Sequence, residues 1–504
     1  MVLLVAVMVV AGVARYAELG RVPQGLYMDE AADGLDALRT AASHHYQVFY
    51  PSDGGREGLW IALMSFSVRW FGRTELAVRF WSPLVGLLTI FATYGLASRW
   101  MGRRTGLLAA WLMATSFWHV LFSRVAFRGI LLPLFIVSAL YFLQLAWDAK
   151  GLRGMLCAAL GGCCLGLGFY SYIPFRLMPL LGLVVMCGEF YGASRDRRRE
   201  VLNRFGLWAA VGCVVATPLA IHFVRNPGDF SARISQVSVL GATHPGRAIA
   251  KNFVLSLKMF VLSGDQNWRH NLAGVPELGY AAAIFFLIGC VIVCRRRKVL
   301  LVWLLLMLLP AVMTNEGVPH ALRSIGAMPA AILIAAAGVD WLLRRVPTKS
   351  SPALKYAIVA LVVLSGASEL YRYFVLWGPT LHVQQAYQAE QLLAARRLAE
   401  TPESKQVIVV VEEPPSYGWR GNAVVTDVDG VATQLPVQAA IPLFIAADRQ
   451  NQTYVPSSRL PGMDLTRLGC PFKQLPPRRL PENQLVNLTE CSAALAGLRL
   501  TGLD

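Results

Sequence analysis

SRVAFRGILLPLFIVSALYFLQLAWDAKGLR, residues 123–153, names the solvent of this chain: from Gly129 to Trp147 nineteen residues carry no charge, with basic residues on both sides. As a helix rising about 1.5 Å per residue, such a run crosses about 30 Å of hydrocarbon. Ten more apolar runs flank it, near 1–19, 76–98, 105–122, 154–170, 175–192, 205–224, 277–294, 299–314, 321–343 and 354–377. The pattern predicts an α-helical polytopic membrane protein with about eleven transmembrane helices, the range being ten to twelve because the pair around Tyr170 to Arg176 also reads as one broken helix. Hydrophobic residues make up 55% of the chain and charged ones 15%, which excludes a soluble enzyme, a disordered chain and a disulfide-stapled secreted domain.

The net charge of +17 raises nucleic acid as a partner, and the positions of the basic residues dismiss it. With a short N-terminus inside, the loops 99–104, 148–153, 193–204, 295–298 and 344–355 face the cytoplasm and carry eighteen Lys and Arg in forty positions. That is the positive-inside bias of a membrane protein. The first run lacks a basic leader and a small-residue cleavage pattern, so it reads as a retained helix rather than a signal peptide.

This orientation puts three polar segments outside: 20–75, 225–276 and a tail from about 378 to 504. The first holds helix-like stretches near 30–43 and 57–71; in the second of these, Leu59, Trp60, Leu63, Phe66 and Trp70 recur at helical spacing, as in a helix lying in the interface plane. The tail changes composition, with an amphipathic stretch at 384–398 and a strand at 406–411. The expected division is therefore a membrane domain, 1–377, and a small extracytoplasmic α/β domain, 378–504. Cys470 and Cys491 in that tail are a candidate disulfide pair in an oxidising compartment. The other seven cysteines lie in or beside the apolar runs, and without a CxxC pair they do not suggest zinc.

Chemistry belongs in the outer segments. Tyr27-Met28-Asp29-Glu30 opens a helix with two adjacent carboxylates; capping alone accounts for one of them, and a carboxylate at the membrane surface also serves as a general base for an attacking hydroxyl. A second group is basic: Arg124 and Arg128 in SRVAFRGILL, Arg176 in YSYIPFR, and His320 with Arg323 in NEGVPHALR. Snorkelling toward lipid head groups explains part of it, while convergent cations on short loops suit a phosphate. The third is GDQNWRHN, 264–271, with Asp265, Arg269 and His270, equally readable as an ordinary polar loop. No Gly-rich phosphate loop, GxSxG elbow, HExxH or dinucleotide fingerprint occurs, so neither ATP-driven work nor a Rossmann-type nucleotide-sugar domain is expected.

In the segments MDEAADGLDAL (28–38), GREGLWIALMSFSVRWFGRTELAVRFWSPLVG (55–86), SRVAFRGILL (123–132), GLGFYSYIPFRLMPL (166–180), GDQNWRHNLAGVPEL (264–278) and EGVPHALRSIGAMPA (316–330) the chain resembles the GT-C superfamily of membrane glycosyltransferases, in particular bacterial glycosyltransferase family 39, akin to protein O-mannosyltransferases and aminoarabinose transferases. The resemblance covers most of the membrane part and leaves out the tail. It implies an inverting glycosyltransferase of the cell membrane that moves a sugar from a polyprenyl-phosphate donor to a protein, lipid or glycan acceptor on the outer face, among membrane lipids and without nucleic acid. It implies Asp29 as base with Glu30 as its partner, and Arg128 near the donor phosphate in a pattern like R-x-I-L-L-D. Pro133 stands where some relatives carry a second acid, so a two-carboxylate scheme does not transfer. His320 and Arg323 resemble the polar pair before a late span, and Tyr27, Glu57, Tyr172, Asp265, Arg269, His270 and Glu316 complete the expected cavity. A divalent cation, Mg or Mn, is a candidate cofactor at Asp29 and Glu30. Two other classes stand beside this reading: a transporter or flippase for a lipid-linked or small polar solute, and a sensor whose tail binds a partner.

Overall fold

A computed structural model describes residues 2–52, 54–346 and 352–400, the helix Ala440–Ala446 and the backbone of short strands between 407 and 490. Cys470 and Cys491 lie outside the described residues. Among the described residues, eight helices are long and apolar enough to cross a membrane: Glu75–Met101, Arg128–Asp148, Gly151–Gly168, Ile173–Gly192, Arg195–Arg225, Gly279–Arg296, Ile325–Arg345 and Pro352–Trp377. Three of the eleven expected spans fall short of that length. Val2–Tyr16 and Lys298–Val312 are shorter apolar helices, and the run 105–122 is two helices, Arg103–Thr115 and Phe117–Phe122, broken at Ser116. The pair near Tyr170 resolves into separate helices, Gly151–Gly168 and Met178–Gly192, joined through the short turn Ile173–Leu177.

The chain divides into two compact units. One comprises Met1–Leu19, Glu57–Trp60 and Trp81–Gly378 and holds the long apolar helices of the described residues, save the first turns of Glu75–Met101. Within it, Leu131–Asp148 packs on Gly151–Gly168, which packs on Arg195–Arg225; Gly279–Arg296 packs on Met328–Arg345. In the last pair the backbones touch. A Cβ at Gly289 would collide with the Ile334 carbonyl, and one at Gly338 with the Phe285 carbonyl. Small residues permit this approach, and van der Waals contact is what holds helices together where lipid is as apolar as leucine.

Helix ends inside this unit are closed by side chains. The buried Arg15 donates to the carbonyls of Ala114 (2.9 Å) and Met113 (3.3 Å), which the break at Ser116 leaves without helical partners. It also donates to His119 Nδ1 at 2.7 Å. Arg124 returns the service, donating to Ala14 and Arg15 carbonyls at 2.9 and 3.0 Å and so capping Val2–Tyr16. At the far end of Lys298–Val312, Asn252 donates to the carbonyls of Val312 (3.0 Å) and Thr314 (2.7 Å). Asn252 lies on Pro245–Lys258, one of two helices, with Pro227–Val237, that occupy the expected polar loop 225–276.

The other unit comprises Gly20–Arg56, Ile61–Phe80 and Pro379–Asp504, so most of the first polar loop is grouped with the tail. Met28–Ser43 packs against Ala440–Ala446, which packs against Ala389–Glu400. Phe444 lies against Gly34, where a Cβ would stand 2.7 Å from its ring. Val407–Val411 pairs in parallel with Gln452–Pro456, and a parallel pair requires a crossover between its strands. On Leu59–Phe71 the side chains of Phe66 and Trp70 stay exposed, with Tyr46 stacked on Phe66 at 6.3 Å between ring centroids.

Gly338→Ala places a methyl group against backbone that cannot yield, at a cost of about 1–3 kcal/mol. Thermal unfolding in detergent is expected to show a lowered midpoint for Gly338→Ala and little change for Gly188→Ala, where a Cβ meets nothing within 4 Å. Equal midpoints would remove the helix contact from the account.

Candidate active site

Met28–Ser43 begins with Tyr27 in extended conformation and places Asp29 and Glu30 in its first turn. The two carboxylates part company at once. Glu30 is fully buried and accepts from Arg79 Nε and Nη2, both at 2.9 Å, and from the Tyr27 backbone N–H at 3.0 Å. Arg79 also holds the carbonyls of Pro23 (2.9 Å) and Gly25 (2.8 Å). Glu30 is thus an arginine's bidentate partner and a helix cap, with its charge already balanced. Asp29, half-buried, is the carboxylate of the pair that reaches solvent.

One and two turns further along the same helix come Asp33 and Asp36, both buried and both paired with Arg56. Ser52 Oγ donates to Asp36 at 2.9 Å, as does Arg39. Sequence reasoning passed over this network. Its signal was the series Asp29, Asp33, Asp36, whose spacing of four and three lines up carboxylates on one helix face.

In the membrane-helix unit, Arg128 opens the short turn Arg128–Ile130 that leads into Leu131–Asp148. Its Nε lies 3.4 Å from Glu57 Oε2, and its guanidinium stands 5.8 Å from the Tyr172 ring. Burial pushes the Glu57 carboxyl above its ordinary range, with Arg128 pulling the other way. Trp60, just after Glu57, donates to the Ala126 carbonyl at 3.1 Å, which fastens this segment beside Arg128. Arg176 is stacked on Phe230 at 4.1 Å and on Phe223 at 5.3 Å, and it donates to the Phe230 carbonyl. Arg124, by contrast, is fully buried, with its guanidinium on helix carbonyls; its geometry is that of a cap.

Two loops of the same unit bring the remaining candidates together. Asp265 and His270 are buried, and Asp265 Oδ2 lies 3.0 Å from His270 Nδ1 and accepts from the Ala321 N–H at 2.8 Å. The His320 ring stands 4.7 Å from that of His270. Arg323 pairs with Glu316 at 3.1 Å and donates to Thr314. Burial, with Arg269 and Arg323 nearby, holds both imidazoles below their ordinary range, despite the opposing pull of Asp265 on His270. Glu277, missed in the sequence, accepts from the Asp265 N–H at 2.9 Å. Burial and then the Asp265 charge push it well above the usual carboxylate range. Phe127, beside Arg128, packs its ring 6.3 Å from His270, and Leu322 faces Gly129. Arg128 and the histidine pair are therefore neighbours across Phe127.

Residues 58–222 match the family model described as dolichyl-phosphate-mannose-protein mannosyltransferase. Among solved structures, ArnT from Cupriavidus metallidurans bound to undecaprenyl phosphate superposes with a TM-score of 0.62 at 14% identity, covering 99% of both chains. The chain has the GT-C fold. A second GT-C structure, the oligosaccharyltransferase AglB from Archaeoglobus fulgidus in complex with an inhibitory peptide and a dolichol-phosphate, matches with a TM-score of 0.53 at 16% identity. There 86% of this chain is covered, and it spans 64% of the archaeal protein's length. No curated protein matches this chain by sequence.

The raised Glu57 carboxyl gives a pH dependence with a definite sign. A carboxyl that is harder to ionise in the folded state contributes stability that is complete below about pH 4.3 and lost as pH rises through its folded value. Glu57→Gln cannot ionise, so its melting temperature relative to wild type is expected to rise as pH increases above about 4.3. A difference independent of pH would mean that burial does not govern Glu57.

Proposed function

We propose that this chain is a glycosyltransferase that moves a sugar, with inversion, from a polyprenyl-phosphate donor to an acceptor hydroxyl on the outer face of the membrane. The observation that carries this reading is Arg128, held by Glu57 and Tyr172 at the head of an apolar helix, in a fold that superposes end to end on a protein bound to undecaprenyl phosphate. A cation at that position meets a phosphate whose lipid tail follows the helix into the bilayer. Arg suits it because its planar fork binds phosphate oxygens in pairs and never loses its charge.

In the proposed reaction the acceptor oxygen bonds to the anomeric carbon from the face opposite the phosphate, and the bond from that carbon to the phosphate oxygen breaks. The acceptor proton passes to a carboxylate, and the electron pair leaves on the lipid phosphate. Asp29 takes the proton. It is the accessible member of its pair, while Glu30 is committed to Arg79. Arg128 stabilises the charge that collects on the leaving phosphate, the kind of contribution worth about 10²–10³ in rate when a single donor is removed. Arg176, Arg323 and His320 are further donor-side candidates, Tyr27, Glu57, Tyr172, Asp265, Arg269, His270 and Glu316 the proposed cavity, and Arg124 a cap.

Transfer from a panel of radiolabelled polyprenyl-phosphate sugars by the purified full chain tests the reading. Asp29→Asn is expected to lower turnover by at least about 10²-fold while leaving donor affinity within threefold or so; near-normal turnover would remove Asp29 as base. Arg128→Ala is expected to weaken donor use, and an unchanged dependence on donor concentration would take it out of the phosphate site. No transfer from any donor, with acceptors supplied to folded protein, would overturn the enzyme itself.

A further inference from the structure

We infer that the helix Pro245–Lys258 carries a binding site for the head groups of anionic phospholipids, separate from the donor site proposed at Arg128. Between Asp229 and Asp265 the sequence holds no carboxylate and four basic residues, Arg233, Arg247, Lys251 and Lys258. In the expected orientation this is an outer loop, where an excess of Lys and Arg is least expected. These cations therefore need a reason of their own.

The structure sorts the helix into three stripes. Asn252 and Ser256 are buried, as is Met259 just past the helix end, and the helix packs on Lys298–Val312. Phe253, Val254 and Leu257 are 39%, 49% and 37% exposed. Arg247, Lys251 and Lys258, spaced by four and seven residues, fall on one line along the helix, and they are exposed. Among the described residues none of these cations makes an ion pair. At about 100° per residue, the buried stripe comes first around the axis, the exposed apolar stripe next and the cations beyond it.

Position in the fold says what meets the two exposed stripes. Asn252 holds the carbonyls of Val312 (3.0 Å) and Thr314 (2.7 Å), and the Val239 N–H, shortly before the helix, donates to the Met313 carbonyl at 2.9 Å. The helix is thus fastened at the end of an apolar helix, where hydrocarbon gives way to head groups. There Phe253, Val254 and Leu257 meet acyl chains and the cations meet phosphates, as on a helix lying in the interface plane. A soluble anion would satisfy the cations and leave the apolar stripe in water; an anionic lipid satisfies both. Two of the three cations are lysines, point charges without a planar fork, so the site selects net charge rather than the shape of one head group.

The test reads lipid binding rather than turnover, so its outcome is independent of glycosyl transfer. The purified full chain in neutral detergent is titrated with phosphatidylglycerol or phosphatidylcholine, with bound lipid read by native mass spectrometry and stabilisation by thermal unfolding. Phosphatidylglycerol is expected to bind at least about tenfold more tightly, with the preference weakened by high salt. A cation beside an anionic lipid surface is worth about fivefold in affinity. Arg247→Gln, Lys251→Gln and Lys258→Gln together are therefore expected to weaken phosphatidylglycerol binding by about 100-fold, with the lipid-free unfolding midpoint unchanged because these side chains are exposed. Should the triple variant fold poorly, Lys251→Gln alone, with an expected loss of about fivefold, replaces it. Arg128→Ala is expected to bind phosphatidylglycerol as the wild type does. Equal binding of the two lipids, undiminished binding by the folded triple variant, or loss of binding in Arg128→Ala would each overturn the site. Inorganic phosphate or soluble polyphosphate binding as tightly as phosphatidylglycerol would overturn the lipid assignment, as would unchanged lipid binding after Phe253→Ser with Leu257→Ser.

Discussion

Hydrocarbon offers no hydrogen bonds, so a helix that stops inside a membrane protein must have its last carbonyls met by the protein itself. The interlocked arginines meet this demand. Arg15, near the end of the first helix, serves the carbonyls that the break at Ser116 exposes, and Arg124, just past that break, serves the end of the first helix. Arg124 thus closes the helix that carries Arg15, and Arg15 closes the helix that ends at the break before Arg124. Removing either would leave buried carbonyls unmet, each costing about 1–3 kcal/mol. Glu369 adds a third clasp by accepting from the Phe117 N–H at 3.1 Å while paired with Arg372 at 2.8 Å. These polar anchors let the chain turn within the bundle and present Val125 to Arg128 where the next helix begins.

The membrane part was legible because the bilayer imposes a length on apolar runs, and most of the eleven runs correspond to single helices. The break at Ser116 was not legible. Hydropathy averages over a window, and a serine amid apolar residues leaves that average high. Burial of Arg124 escaped notice for a related reason: on an orientation rule an arginine in a short loop looks like a surface cation, and only the fold shows that its guanidinium turns inward. Asp29 and Glu30 were conspicuous as a pair, but Arg79 is 49 residues from Glu30 in sequence, and nothing local announces which carboxylate it will take. Asp265 and His270 were visible together within one loop, whereas His320 joins them only through the packing of two distant segments.

Charge is distributed so that different groups are left with different freedom. Glu30, Asp33 and Asp36 are paired with Arg79 and Arg56, while Asp29 on the same helix is half-buried. Arg124 is committed to carbonyls and Arg323 to Glu316, while Arg128 keeps a looser ion pair at 3.4 Å with 18% of its side chain exposed. Its partner Glu57 is itself a carboxyl whose charge is disfavoured by burial. The pair holds the Arg128 guanidinium beside the Tyr172 ring.

The grouping of Gly20–Arg56 and Ile61–Phe80 with Pro379 onward has a bearing on biosynthesis. A ribosome adds about 5–20 residues per second, so the roughly 300 residues between Phe80 and Pro379 take about 15–60 s to appear. Throughout that interval the helix bearing Asp29 lacks Ala440–Ala446 and Phe444, against which its Gly34 face packs. Until then the helix face around Gly34 has no Phe444 to cover it. The helix that bears Asp29 is thus among the first elements made, and the helix that covers it is among the last.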